Sequence, residues 1–100
     1  MIQRGYSYST SFAIEELPGN TPMSLAGCTA TFCVRIGPEG SKIFEFPATI
    51  STPATNGEAT VDLTPAQTAT IKKGSGRAWL KVVSGSSAKN YGEHDITVSD

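Results

Sequence analysis

The chain has 100 residues, of which 38% are hydrophobic and 17% charged, and its formal net charge is −1. This length suits a single domain with one shared core over residues 1–100 and is too short for two ordinary domains. The balanced charge argues against binding to nucleic acid, and no apolar run approaches the ~20 residues that span a bilayer.

A period-two alternation of apolar and polar residues predicts short β-strands along the chain, and no segment shows a sustained helical period. The first predicted strand covers residues 6–14. Residues 15–24 contain two prolines and a glycine, which predicts a loop. The face of the first strand that we assign to the core carries Tyr6, Tyr8, Thr10, Phe12 and Ile14.

Two further strands are predicted on either side of a Gly-Pro-Glu-Gly turn at residues 37–40. The second strand covers residues 28–36, and the third covers residues 42–50. Pro47 lies within the third strand and cannot donate to a neighbouring strand, so this strand lies at a sheet edge or carries a bulge. The apolar face of the second strand consists of Cys28, Ala30, Phe32, Val34 and Ile36.

The second half of the chain contains the one helical signal. A fourth strand over residues 58–63 leads into Thr64-Pro65-Ala66-Gln67, a capping-box sequence that predicts a short helical turn near residues 65–71 with Ile71 under the sheet. A fifth strand at 77–83, a turn at 85–89 and a last strand at 91–98 complete the pattern. Six or seven short strands predict an all-β fold, an immunoglobulin-like antiparallel β-sandwich.

Catalytic and metal sites find little support among the residues. The single histidine, His94, precedes Asp95, and neighbours on a strand point to opposite faces, which excludes that pair from a catalytic triad. Cys28 and Cys33 stand five residues apart on opposite faces of one strand, too far apart for a disulfide. Together with one histidine they do not make a zinc site. We therefore expect no enzyme activity, no metal and no cofactor.

Two groups of residues could serve recognition. Trp79 lies between Arg77 and Lys81, and if Ala78 and Leu80 face the core, all three form an outward surface typical of interfaces. Two alternatives stay open, namely the opposite register and a Trp79 packed under a loop. Tyr6 and Tyr8 could instead stack on sugars, although we expect both in the core.

One segment resembles a family of phage domains. Residues 25–35, Leu-Ala-Gly-Cys-Thr-Ala-Thr-Phe-Cys-Val-Arg, resemble a segment in the N-terminal domains of baseplate upper proteins and in similar Ig-like modules of phage and prophage tails. Residues 3–5, 48–50, 57–65 and 92–98 resemble other parts of the same family in the same order. The strand beginning Gly76-Arg77-Ala78-Trp79-Leu80 departs from the family's Tyr-rich run.

This resemblance implies a structural or docking role in a tail or baseplate assembly. The expected partners are other tail or baseplate proteins and further copies of the chain. The expected location is the virion, or the host cytoplasm during assembly, since Met1–Tyr6 lacks the apolar segment of a signal peptide. A carbohydrate-binding β-sandwich is the alternative.

Overall fold

The computed structural model describes residues 1–16, 21–22 and 24–100, and nearly all of its regular structure is β-strand. One 3-10 helix, Ala54–Asn56, and one short α-helix, α1 (Pro65–Thr68), interrupt the strands. The strands are β1 (Ile2–Gln3), β2 (Tyr8–Ala13), β3 (Glu15–Glu16), β4 (Thr21–Pro22), β5 (Thr29–Ile36), β6 (Ile43–Ile50), β7 (Glu58–Leu63), β8 (Gly74–Ser84) and β9 (Ser87–Ser99).

Seven strands form one continuously hydrogen-bonded sheet in the order β1-β9-β8-β5-β6-β7-β2, which curves nearly into a barrel. The predicted all-β class is confirmed. The prediction of purely antiparallel pairing was wrong at one place, because β1 runs parallel to β9. The prediction of a loop at 15–24 was also incomplete, since β3 and β4 pair as a separate two-stranded ribbon. Residues 17–20 and 23 of that loop lie outside the described residues.

The sheet changes direction at β6. Residues 43–48 of this strand pair with β5, and only Thr49 and Ile50 pair with β7. Pro47 therefore lies in a part of β6 with a neighbour on one side, which confirms the edge position that its missing amide hydrogen requires. Beyond this corner β7 and β2 fold back over β5, so that the ring of Phe12 comes within 6.1 Å of the Phe32 ring, centroid to centroid.

The concave side of the curved sheet contains the hydrophobic core. Phe32, Val34 and Leu80 are completely buried there, as the alternation predicted. Tyr6 is a correction, because the chain turns before β2 begins and leaves this side chain 60% exposed. Tyr8 packs against the core from a half-buried position and stacks on Phe32.

The predicted capping box is present at the start of α1. The Gln67 amide donates to Thr64 Oγ1 over 3.2 Å, and the Thr64 amide donates to Gln67 Oε1 over 2.9 Å. Ile71 behind the helix is fully buried, as expected. Within the described residues, no helix has the length and apolar character needed to cross a membrane.

The β8–β9 hairpin is longer than the sequence predicts. The turn expected at residues 85–89 is only Gly85-Ser86, because Ser84 already pairs with Ser87. The strand residues 87–90 are all exposed and Ala88 is the one apolar residue among them, so no apolar alternation marks them. The register shifts between Ala78 and Leu80, opposite Gly92. Gly92 has φ 64°, and a Cβ there would lie 2.8 Å from Cδ2 of Phe12.

Candidate functional site

The convex face of the sheet brings Arg77, Trp79 and Lys81 together. On β8 the side chains of Ala78 and Leu80 enter the core, so the three alternate residues point to the opposite side. On β5 the residue paired with Trp79 is Cys33. The opposite register for β8 is therefore excluded.

Trp79 lies at the centre of this convex face, yet only 7% of it is exposed. The guanidinium carbon of Arg35 lies 5.8 Å from the centre of the Trp79 ring, a cation–π contact. A shallow pocket of about 300 Å³ beside the ring is lined by Arg35, Glu39, Trp79, Asn90 and Glu93. Charged and polar side chains thus cover the indole, and a partner arriving at this face would contact those side chains first.

Ion pairs flank Trp79 on both sides. The Arg77 guanidinium donates to Asp95 over 2.7 Å and to Glu93 over 3.2 Å. These two hydrogen bonds, that to Asp95 foremost, raise the pKa of Arg77. At the other side Lys81 Nζ lies 3.1 Å from Glu45, and this hydrogen bond raises the pKa of Lys81. Pairs this exposed add little to folding stability.

The acidic members of this arrangement were missed by the sequence reasoning. Glu45 comes from β6, and Glu93 and Asp95 come from β9. The signal that could have found Asp95 is the hairpin register, since Arg77 and Asp95 are directly paired on neighbouring strands. That register depends on the register shift near Gly92, which alternation alone does not reveal.

Cys33 lies beneath the same face, with its Sγ atom 3.8 Å from a carboxylate oxygen of Glu45. Burial, supported by the negative charge of Glu45, raises the pKa of the Cys33 thiol to about 11. The thiol is therefore protonated at neutral pH and a poor nucleophile. Cys28 packs against the core cluster, so the two cysteines lie on opposite faces, as predicted.

His94 and Asp95 also lie on opposite faces of β9. His94 Nδ1 lies 2.7 Å from the carbonyl oxygen of Gly92, and its ring lies 6.2 Å from that of Phe12, centroid to centroid. Asp95 meanwhile binds Arg77 on the convex face. Across residues 1–16, 21–22 and 24–100, no group of three His, Cys, Asp or Glu side chains is placed to hold a metal ion.

A second pocket, which the sequence reasoning missed, lies at the end of the β8–β9 hairpin. Its volume is about 210 Å³, and it is lined by Val82, Ser84, Ser87, Lys89 and Tyr91. These residues occupy alternate positions on the two strands and belong to the concave side. The pocket therefore lies across the sheet from Trp79.

Comparison with solved structures shows a likeness in fold. The chain is similar to the N-terminal domain of phage TP901-1 ORF48, with 99% of this chain and 82% of that chain covered, a TM-score of 0.53 and 13% sequence identity. The expected likeness to a phage domain is confirmed at the level of the fold. No protein-family model and no curated protein sequence matches the chain.

Proposed function

We propose that the chain is a non-catalytic structural or docking domain of a bacteriophage or prophage tail or baseplate. The observation that carries this proposal is the fold shared with the N-terminal domain of phage TP901-1 ORF48 over 99% of the chain. The resemblance of residues 25–35 to tail and baseplate modules points to the same role. The location that follows is the virion, with several copies per particle.

The architecture that we propose for this role is a single immunoglobulin-like sandwich over residues 1–100. The corner in β6 supports this architecture, because it separates a layer containing β5, β8 and β9 from a layer containing β7 and β2. The aromatic contacts of Phe32 with Tyr8 and Phe12 join the two layers. The parallel pairing of β1 with β9 ties the first strand to the last within one unit.

The docking surface that we propose is the convex face around Trp79. Arg77 and Lys81 present their charges on the two sides of the covered indole, and Arg35 lies above it. A tail or baseplate protein with carboxylates at matching positions could replace Glu93, Asp95 or Glu45 as the partner of these cations. Breaking the existing ion pairs costs little free energy because these pairs are exposed to solvent.

The carbohydrate-binding alternative is less well supported. It calls for a row of exposed aromatic rings on one sheet face, whereas Trp79 is covered and Phe12 is buried. Tyr6 is 60% exposed but lies outside the sheet. Within the part of the chain that the structure describes, the aromatic side chains do not form such a row.

A double substitution tests the docking surface. We expect Arg77→Ala with Lys81→Ala to lower incorporation of the chain into phage particles by at least about tenfold, since Arg is enriched among the interface residues whose truncation costs more than about 1 kcal/mol. Incorporation is measured by quantitative mass spectrometry of purified particles against the wild-type chain.

Lys73→Ala provides the control, because Lys73 forms an exposed ion pair with Asp100 on a different part of the surface. All three substitutions should leave the unfolding midpoint nearly unchanged. Wild-type incorporation of a folded double variant would contradict the assignment of this face.

A further inference from the structure

β2 offers a free hydrogen-bonding edge. Its six residues pair with β7 from Tyr8 opposite Leu63 to Ala13 opposite Glu58. On its other side β2 pairs with no strand among the described residues, because it is the last strand in the sheet order. Within the described part of the chain, the backbone groups on that side have no strand partner, so a further strand could pair with them.

The direction of each backbone group along β2 follows from the hydrogen bond just beyond the strand. The amide of Ile14 donates to the Gly57 carbonyl over 2.8 Å, toward β7. Since successive residues of an antiparallel strand alternate in direction, Tyr8, Thr10 and Phe12 also bond toward β7. The amides and carbonyls of Ser9, Ser11 and Ala13 consequently point to the free edge.

The other edges of the sheet carry features that oppose strand addition. β6 has Pro47 and Glu45, and β1 has only two residues. The open side of β9 carries Lys89, Glu93 and Asp95, together with a register shift at Gly92. By contrast, the segment Tyr6–Ile14 contains no charged residue, no proline and no glycine. The sequence of β2 thus lacks the charged residues and proline that commonly protect an edge strand.

We propose that β2 pairs with β2 of a second copy of this chain, antiparallel and symmetric about Thr10. Thr10 then lies opposite the partner's Thr10, and Tyr8 lies opposite the partner's Phe12. Both are non-hydrogen-bonded pairs, in which side chains approach most closely and aromatic pairs are favourable. Ser9 and the partner's Ser11 exchange the hydrogen bonds.

The charges of the neighbouring strand are compatible with this register. Asp62 is paired with Ser9 and accepts a hydrogen bond from its hydroxyl over 2.6 Å. In the joined sheet, four residues lie side by side across the strands: Asp62, Ser9, the partner's Ser11 and the partner's Thr60. Thr60 stands at the far end because it is paired with Ser11 within each copy. Acidic side chains therefore do not meet across the joined sheet. Because the edge of β2 matches its own antiparallel copy in aromatic, hydroxyl and charged positions, the partner that fits this edge is a second copy of the chain.

Pairing through β2 could join the several copies that the proposed function calls for. The pairing can nevertheless occur even if the proposed function is wrong. β2 and the convex face around Trp79 use different residues. Self-association of the purified chain and incorporation into particles can therefore fail separately.

Ser11→Pro is the decisive variant, because it removes an amide that points to the free edge and leaves the bonds to β7 in place. By symmetry one substitution removes two hydrogen bonds from the dimer, and we expect the dimer Kd to rise by at least about 30-fold. Sedimentation equilibrium of the purified chain measures the Kd. Ser11→Ala is the matched control, since it keeps the amide and should leave the Kd within about threefold, as for most exposed substitutions.

Crosslinking of Thr10→Cys provides a second measurement if the proline variant does not fold. The Cα atoms of opposed non-hydrogen-bonded residues lie about 4.5 Å apart, within disulfide range, so oxidation should link the two introduced thiols across the dimer axis. Peptide mapping distinguishes this link from links through Cys28 or Cys33. The proposal would be overturned if the wild-type chain were monomeric and the Thr10→Cys variant were crosslinked no faster than the Ser9→Cys variant. A dimer that persists in folded Ser11→Pro would also overturn it.

Discussion

Replacing Trp79 with alanine should lower the free energy of unfolding by about 3–5 kcal/mol, the range for truncating a buried large aromatic residue. The indole is 7% exposed although it lies outside the main core cluster. Its removal leaves Arg35 without the ring under its guanidinium and uncovers Cys33, which is paired with Trp79 on β5. A domain of this size is typically stable by about 5–15 kcal/mol, so the variant retains a small margin. Urea unfolding measures the loss.

Two controls separate packing from other effects of this substitution. Trp79→Phe keeps a ring beneath Arg35 and should lose much less stability than the alanine variant. Ile43→Ala removes a side chain that is 44% exposed and should change the free energy of unfolding by less than about 1 kcal/mol. If Trp79→Ala proved as stable as Ile43→Ala, the indole would not be packed as the structure shows. Because loss of Trp79 is expected to destabilise the fold, a Trp79 variant that fails to assemble is informative only after it has been shown to fold.

Gly76→Ala should be at least as damaging, with a loss of about 3 kcal/mol or more. A Cβ at Gly76 would lie 1.8 Å from the carbonyl oxygen of Arg35, which is backbone and has no rotamer to change. Gly76 pairs with Ile36 at the end of the β5–β8 ladder, so the clash can be relieved only by separating the two central strands there. The midpoint of thermal or urea unfolding reports the loss.

Ser75→Ala is the matched control for this position. Ser75 is the preceding residue of β8 and is exposed, so its substitution should leave the midpoint close to that of the wild type. Equal midpoints for Gly76→Ala and Ser75→Ala would show that β5 and β8 are not in the contact that excludes a side chain here.

Local patterns were sufficient to predict the all-β class and much of the core. A strand such as β7 has one buried face, so its alternation records which side chains face inward. The helical turn was predictable for a different reason, because the capping box depends on residues close in sequence. Both kinds of signal act over a few residues.

Features that depend on pairing between distant segments could not be predicted. The parallel contact of β1 with β9 joins the two ends of the chain, and no alternation specifies it. The exposed first half of β9 has no buried face, so its strand character comes only from hydrogen bonds to β8. For the candidate site, alternation placed Arg77, Trp79 and Lys81 on one face. To predict their acidic partners and the side chains that cover Trp79, one would need to know the register of three other strands.

Counting the chain in purified phage particles tests the central claim most directly. Quantitative mass spectrometry would compare its abundance with that of a tail protein of known copy number, after the particles are separated from the lysate. A structural or docking role predicts a fixed ratio between the two proteins that survives repeated purification. A chain that is abundant in the lysate but lost from the particles would contradict it.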